Sequence, residues 1–309
     1  MNFSRAADEL YVTQSAISKQ IRMLETELGV KLFDRTTRKL ELTVEGREYL
    51  DTISESFTAM RQATQRIRRS TEGASLSISV LPSLGIYWLM PRLNDFNHRY
   101  PEIKIHLTTS IEPVDFDHDK VDVAIRVGQL PGQESAEDGA RIELHMTENW
   151  TGVAVEYLTD DILVPVCSPD YKRRSAPLED PEDLRNAILI HNSTRGKAWP
   201  DWLAAIGKSK LDPPQNLAFG HFFLARTAAI EGQGVAILPD ILVRDALDEG
   251  SLITPFPQKL KSRGAYYILF PKKTSSNMAS RVFRQWLKEC MNGSTAEAPE
   301  ASLVSIEKR

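Results

Sequence analysis

The sequence predicts an α/β chain in three parts: a small helical head with a two-stranded wing, one long connecting helix, and a larger body of two subdomains. Three observations predict it. Apolar residues over positions 1–70 recur mainly with the 3.6-residue period of helices, broken by one short alternating stretch. Beyond "STEGASLS", a small-residue hinge from Ser70, β-branched runs alternate with helical patterns. Finally, 309 residues at 41% hydrophobic and 26% charged suffice for two or three domains with a substantial core.

The head comes first. Phe3, Ala6, Ala7 and Leu10 follow i, i+3, i+4, i+7 and predict a short amphipathic helix. Only Tyr11 and Val12 separate it from Thr13, which stands where an N-cap belongs. Ile17, Ile21, Leu24 and Leu28 form the apolar stripe of a second helix. At about 100° per residue, Gln14, Ser15, Ser18, Lys19 and Arg22 gather on a neighbouring face. Thr and Ser propagate helices poorly, so their crowding in these first turns calls for a capping or surface role. Two helices so tightly joined form a helix-turn-helix. Gln and Arg pair bidentately with purine edges, and Ser and Lys suit phosphates. A solvated face on an ordinary helical hairpin has the same periodicity.

The stretch "VKLFDRTTRKLELTVEGREYL" holds a short apolar strand, a turn with Arg35, Thr36, Thr37, Arg38 and Lys39, then alternating Leu40, Leu42 and Val44. That pattern predicts a wing with a cationic tip suited to a phosphate backbone. A long helix follows, about 44 to 69. In it Leu50, Ile53, Phe57, Met60, Thr64 and Ile67 step 3, 4, 3, 4, 3, a heptad seam with one polar interruption. A connecting helix has little surface of its own chain to cover, which favours pairing with a second copy over packing on its own domain. Charge follows the same division: residues 1–70 carry 12 Lys/Arg against 10 Asp/Glu, whereas 71–309 carry 26 against 32. The acidic body is poorly suited to lying on a polyanion.

In the body, "LSISV", "IKIHLTT", "VDVAIRV", "AILIHN", "NLAF", "GVAILP" and "AYYILFP" read as strands. "IYWLMPRLNDFNHRYP" and "MASRVFRQWLKECM" read as helices, with Pro91 marking a bend or a late start. "ILVPVCSP" (162–169) crosses into the second subdomain. Alternating elements predict a mostly parallel sheet with helices on both faces and a ligand-sized cleft between the subdomains. Ser83 precedes a helix start, where free backbone N–H groups suit a ligand carboxylate, or it is a plain N-cap. His221 reads more readily as a structural histidine than as a ligand contact. Residues 129–148, "QLPGQESAEDGARIELHMTE", look inserted and mobile. The tail 292–309, rich in Ala, Ser, Glu and Pro, reads as disordered.

The run "NFSRAADELYVTQSAISKQIRMLETELGVKLFDRTTRKLELTVEGREYL" resembles the winged helix-turn-helix of LysR-type transcriptional regulators, nearly without a break. "LPSLGIYWLMPRLNDFNHRYPEIKI", "LVPVCSP", "LIHNSTRGKAWPDWL" and "AAIEGQGVAILPDILV" resemble the effector domain of the subgroup that includes activators of glycine cleavage and β-lactamase genes. The resemblance implies a fold of three parts: a winged helix-turn-helix over 1–43, a linker and dimerisation helix over 44–70, and a periplasmic-binding-protein-like effector domain over 76–290. Subdomain I would comprise 76–161 and 269–290, and subdomain II 162–268. It implies DNA contacts by Thr13, Gln14, Ser15, Ser18, Lys19 and Arg22, with Arg5, Arg35, Thr36 and Arg38 on the backbone. It implies effector contacts at Ser83, Leu84, Arg126, Gly128, Thr194 and His221, and a dimer interface through Leu50, Ile53, Phe57, Met60 and Ile67. The inserted 129–148 segment weakens the transfer to Arg126 and Gly128.

The implied function is sequence-specific binding of double-stranded promoter DNA, modulated by a small molecule in the cleft. The implied assembly is a homodimer or homotetramer that contacts RNA polymerase. Family members carry a further helix ahead of the position where this chain begins. The alternative expectation is therefore a small-molecule sensor that has lost DNA binding.

An enzyme is not expected. The sequence has no G-x-S-x-G, no Walker loop and no H-E-x-x-H, and its six histidines lack metal spacing. "GQGVAI" at 232–237 offers G-x-G without the third glycine, after a helix rather than a strand. No cofactor or metal is expected. Trp199 and Trp202, at i and i+3, read as core. The two cysteines, Cys167 and Cys290, are far apart and read as reduced thiols of a cytoplasmic protein. No apolar run approaches the roughly 18 residues of a membrane span.

Overall fold

The computed structural model describes residues 3–36, 39–69, 75–132, 139–175, 177–208, 215–275 and 277–294. The chain divides into two compact units, Met1–Glu72 and Gly73–Arg309. The tail expected to be disordered lies, from residue 295 onward, outside the described residues.

In the first unit α1 (Phe3–Glu9) and α2 (Gln14–Leu28) are followed by β1 (Phe33–Thr36), β2 (Lys39–Leu42) and α3 (Val44–Arg69). α1 stops short of Leu10, which is 63% exposed, while Ala7 is buried. Tyr11, at φ 54°, turns the chain through the left-handed region, so Leu10 leaves the stripe expected of it. Thr13 caps α2 as anticipated, its Oγ1 accepting from the Ala16 amide at 3.2 Å. The wing strands pair antiparallel from Phe33↔Leu42 to Thr36↔Lys39. Phe3 meets Phe33 edge to face with ring centroids 5.3 Å apart, tying α1 to the wing. A Cβ on Gly46 would lie 2.0 Å from the Leu32 carbonyl oxygen, so only glycine lets α3 start this close to the wing base.

The second unit begins with β3 (Ser75–Val80), a short α4 (Pro82–Leu84), a π-helical turn over Gly85–Leu89 and α5 (Met90–Arg99). Pro91 directly follows the π-helical turn, where the Met90 amide bonds the Gly85 carbonyl and the α-helical pattern is already interrupted. Next come β4 (Lys104–Thr109), β5 (Val123–Gly128), β6 (Val153–Val166), α6 (Pro169–Arg174), β7 (Ile188–Asn192) and α7 (Ala198–Ala205). The series closes with β8 (Gln215–Phe219), α8 (Phe222–Ile230), β9 (Val235–Pro239), α9 (Arg244–Asp248), β10 (Leu260–Pro271) and α10 (Met278–Ser294).

The strands form one sheet in the order β4-β3-β5-β10-β6-β9-β7-β8. It is mixed rather than mostly parallel. Its flanks pair in parallel, but β5/β10, β10/β6 and β6/β9 are antiparallel. The two crossing strands are long enough to serve both halves: β10 pairs with β5 through Ala265–Leu269, and β6 pairs with β9 through Leu163–Val166.

One face of β3, β5 and β10 buries Ile78, Ile125 and Ile268 against Phe96 of α5 and Phe283 and Trp286 of α10. Their other face is covered by loops rather than by a helix: Val114 and Met146 pack on Ala124, Tyr267 and Leu269. This corrects two expectations. Helices do not cover both faces here, and of the described parts of the inserted segment, 129–132 and 139–148, the second is packed onto the sheet. Ala140 and Met146 are 0% and 3% exposed, and Arg141 bonds Asp201 through Nη2 at 2.6 Å. Trp199 and Trp202 are core, as expected, donating to the carbonyls of Ile190 and Gln258 at 3.1 Å. Cys167 and Cys290 are free thiols, and burial pushes Cys167 up to about 11.

Candidate DNA-reading face and effector cavity

The first unit presents the polar face of α2. Gln14, Ser15, Lys19 and Arg22 are exposed and Ser18 is half-buried. The Thr13 hydroxyl is occupied by its cap and lies 3.0 Å from Ser15 Oγ, so its role here is to start the helix. Among the described residues, the side chains of Gln14, Lys19 and Arg22 have no intramolecular hydrogen-bond partner and are free for other groups. The side chains of Arg5, Arg35 and Thr36, and Arg38 altogether, lie outside the described residues.

On α3, Leu50, Phe57 and Met60 are 45%, 59% and 64% exposed, with Ile53 half-buried between them. They leave an apolar seam on the surface of the single chain. The Ile67 side chain lies outside the described residues.

In the second unit Ser83, Leu84, Thr194 and His221, which the structure thus brings together, line one small pocket, with about 30 Å³ open to the centre of a water-sized sphere. Arg195, Phe222 and Tyr266 line it too. Ser83 is not the N-cap: Leu81 holds that position, and the Ser83 hydroxyl accepts from the Phe223 amide at 3.0 Å. The start of α8 is thereby tied to α4. A second tie lies beside it, where the Arg226 guanidinium sits 3.9 Å over the Tyr87 ring and donates to Asp245 at 2.8 Å. Thr194 donates through its backbone N–H to Asn192 Oδ1 at 2.9 Å, which fixes the tight turn carrying it. His221 precedes α8, its ring stacked on Phe223 with centroids 5.3 Å apart.

Arg126 and Gly128 are placed elsewhere. Arg126 is 2% exposed on the loop-covered face of β5, donating to Ser79 O, Ile125 O and Ser79 Oγ at 3.1, 3.1 and 2.8 Å. No carboxylate among the described residues bonds to it, and burial pushes its guanidinium down to about 10. A Cβ on Gly128 would meet Met146 Cγ at 2.7 Å, so this position is packed against the inserted segment.

Sequence reasoning missed the polar knot beside the cavity. Arg195 and Asp161, 1% and 0% exposed at their side chains, form an ion pair. Ser262 accepts from Arg195 Nη2 at 2.7 Å and donates to Asp161 at 2.6 Å. Burial, then the neighbouring Asp161, pushes the Tyr266 phenol well above its ordinary value, so it stays protonated. The signal available was the pair of aspartates in the middle of β6, a costly place for charge without a partner.

An exposed helix face rich in base-reading side chains, together with a separate pocket in the second unit, is the arrangement of a ligand-responsive DNA-binding regulator. The family models make the class specific. "Bacterial regulatory helix-turn-helix protein, lysR family" matches residues 1–47, and "LysR substrate binding domain" matches 69–292. The chain belongs to the LysR family: it is a transcriptional regulator with a helix-turn-helix DNA-binding head and an effector-binding domain.

The glycine cleavage system transcriptional activator of Escherichia coli strain K12 is 36% identical over 287 residues, covering 93% of this chain and 88% of that protein. The AmpR effector binding domain from Citrobacter freundii superposes with TM-score 0.57 at 25% identity, over 71% of this chain and 99% of that one. CrgA, a LysR-type regulator from Neisseria meningitidis, gives 0.55 at 25% identity, over 93% of each chain. A sensor deprived of DNA binding is not the favoured reading, because the helix-turn-helix match is retained. Among the described residues, no helix is long and apolar enough to cross a membrane.

Proposed function

We propose that the first unit reads an operator through α2, with Gln14 and Arg22 on base edges and Ser15, Ser18 and Lys19 on bases and phosphates. Arg5, Arg35, Thr36 and Arg38 then hold the backbone, and two copies pair along α3. A small molecule with a largely apolar body occupies the cavity bounded by Ser83, Leu84, Thr194 and His221. Because α4 and α8 meet at its edge, occupancy alters how the two halves of the body close. To shift that equilibrium the ligand must bind one closure better than the other.

The proposal places the head at 1–43, the linker at 44–70 and the effector domain at 76–290. It extends to non-catalytic action in the cytoplasm and to contact with RNA polymerase. The activators among the relatives support activation as the output.

The observation that carries the reading is the α2 face, where Gln14, Lys19 and Arg22 are exposed with no partner among the described residues. The test is binding to duplexes selected from a random pool, measured across salt. Affinity should fall log-linearly with salt. Gln14→Ala should weaken binding by roughly 1–3 kcal/mol and relax preference at one base position. An equal loss on every sequence would show that Gln14 touches no base.

A further inference from the structure

α2 buries a carboxylate. Glu25 is 6% exposed, and its Oε1 accepts from the backbone amides of Leu32 at 2.9 Å and Phe33 at 3.2 Å, where the wing begins. Burying a carboxylate is unfavourable unless hydrogen bonds replace its water, and two charge-assisted bonds to backbone N–H groups do so here.

The segment it holds is tied from the other side as well. The Leu32 carbonyl accepts from the Thr43 amide at 3.0 Å. The Thr43 hydroxyl donates to Lys31 O at 2.7 Å and accepts from the Gly46 amide, in the first turn of α3, at 2.9 Å. Residues 31–33 are thus pinned between α2 and the start of α3. Removing the Glu25 anchor leaves the wing attached to α3 and, through Phe33, to Phe3 of α1, but strips it of these two bonds to α2 and so loosens its angle to that helix.

We infer that Glu25 is a positioning residue for DNA recognition: its carboxylate sets the angle of the wing to α2, so that the wing tip meets the phosphate backbone when the α2 face meets the bases. This rests on the proposed reading in which α2 and the wing engage one duplex. The geometry distinguishes the variants. Both amides use one oxygen, so Glu25→Gln keeps the acceptor. Glu25→Asp keeps the charge but withdraws the oxygen by one methylene, and Glu25→Ala removes it.

The test uses the full chain and a duplex selected by the wild type from a random pool, with three measurements: affinity against salt, base-methylation interference and phosphate-ethylation interference. For Glu25→Asp the base pattern should persist while the flanking phosphate pattern fades. Its log-log salt slope should flatten by about one unit for each phosphate no longer engaged, with affinity falling about tenfold near 0.1 M salt. Glu25→Gln should restore both patterns. Should Glu25→Ala fail to fold, the Asp and Gln variants still decide.

Two results overturn the inference alone: an unchanged phosphate pattern and slope in Glu25→Asp, or base and phosphate patterns fading together in a variant that melts like wild type. A third, Glu25→Gln failing as Glu25→Asp does, overturns it too. A wild type that enriches no duplex overturns the underlying reading as well.

Discussion

Asp161 offers the sharpest test of how the body is held together. Asp161→Ala would leave Arg195, whose side chain is 1% exposed, as a buried cation beside the Ser262 hydroxyl. Breaking one side of a buried pair costs about 3–5 kcal/mol, because the surviving charge loses its compensation. For a unit of this size that corresponds to a fall in Tm of about 6–20 °C. The assay is tryptophan fluorescence during thermal and urea unfolding. All five tryptophans lie beyond residue 72, so the signal reports this unit alone.

The companion variant replaces the whole knot with apolar groups, Asp161→Leu with Arg195→Met and Ser262→Ala. It should recover most of the loss, since no charge is then left buried. A loss below about 1 kcal/mol for Asp161→Ala would refute the reasoning. So would an apolar replacement no more stable than the single variant, which would show that packing rather than charge dominates.

Ile53→Asp should bury an unpaired carboxylate in the α3 seam and separate paired copies; an unchanged sedimentation profile would refute the pairing. Ser83→Ala removes the acceptor of the Phe223 amide. That amide should then exchange with solvent faster, and the cavity should bind a hydrophobic fluorescent probe differently from wild type; unchanged exchange would rule out the α4–α8 tie. His118, bonded through Nδ1 to Asp115 at 2.7 Å, is raised above its ordinary value of 6.5 by that bond and charge. The stabilisation it contributes is therefore fully present below the unfolded value and lost as pH rises through the folded one. An NMR titration should give a midpoint above 6.5 that drops in Asp115→Asn; an unshifted midpoint would contradict the pair.

Local pattern made the head legible. Thr13 as cap, the α2 polar face and the wing all depend on residues within one or two turns of each other, and periodicity reports such relations directly. The limits of the long helix followed for the same reason. The cavity was only half legible. Ser83, Leu84, Thr194 and His221 came from resemblance and do converge. Arg195 is the neighbour of Thr194, but its partner Asp161 is 34 residues distant and Ser262 is 67. No spacing rule connects such groups.

Arg126 shows the opposite difficulty. Alternation along β5 puts neighbours on opposite faces, and nothing local says which face the cavity adjoins. Met146, from the inserted segment, lies over the other one. Glu25 was hidden because a glutamate beside an apolar stripe reads as solvated, and its backbone partners carry no sequence signature.

The place of β10 in the sheet has a consequence for synthesis. It lies between β5 and β6, yet leaves the ribosome after both. Until Pro271 emerges, β5 and β6 each present a bare hydrogen-bonding edge to the cell, and neither half can close its sheet. Premature termination between the end of β6 and that point yields a chain with sticky strands in its second unit and no partner for them, so such products should be found in inclusion bodies.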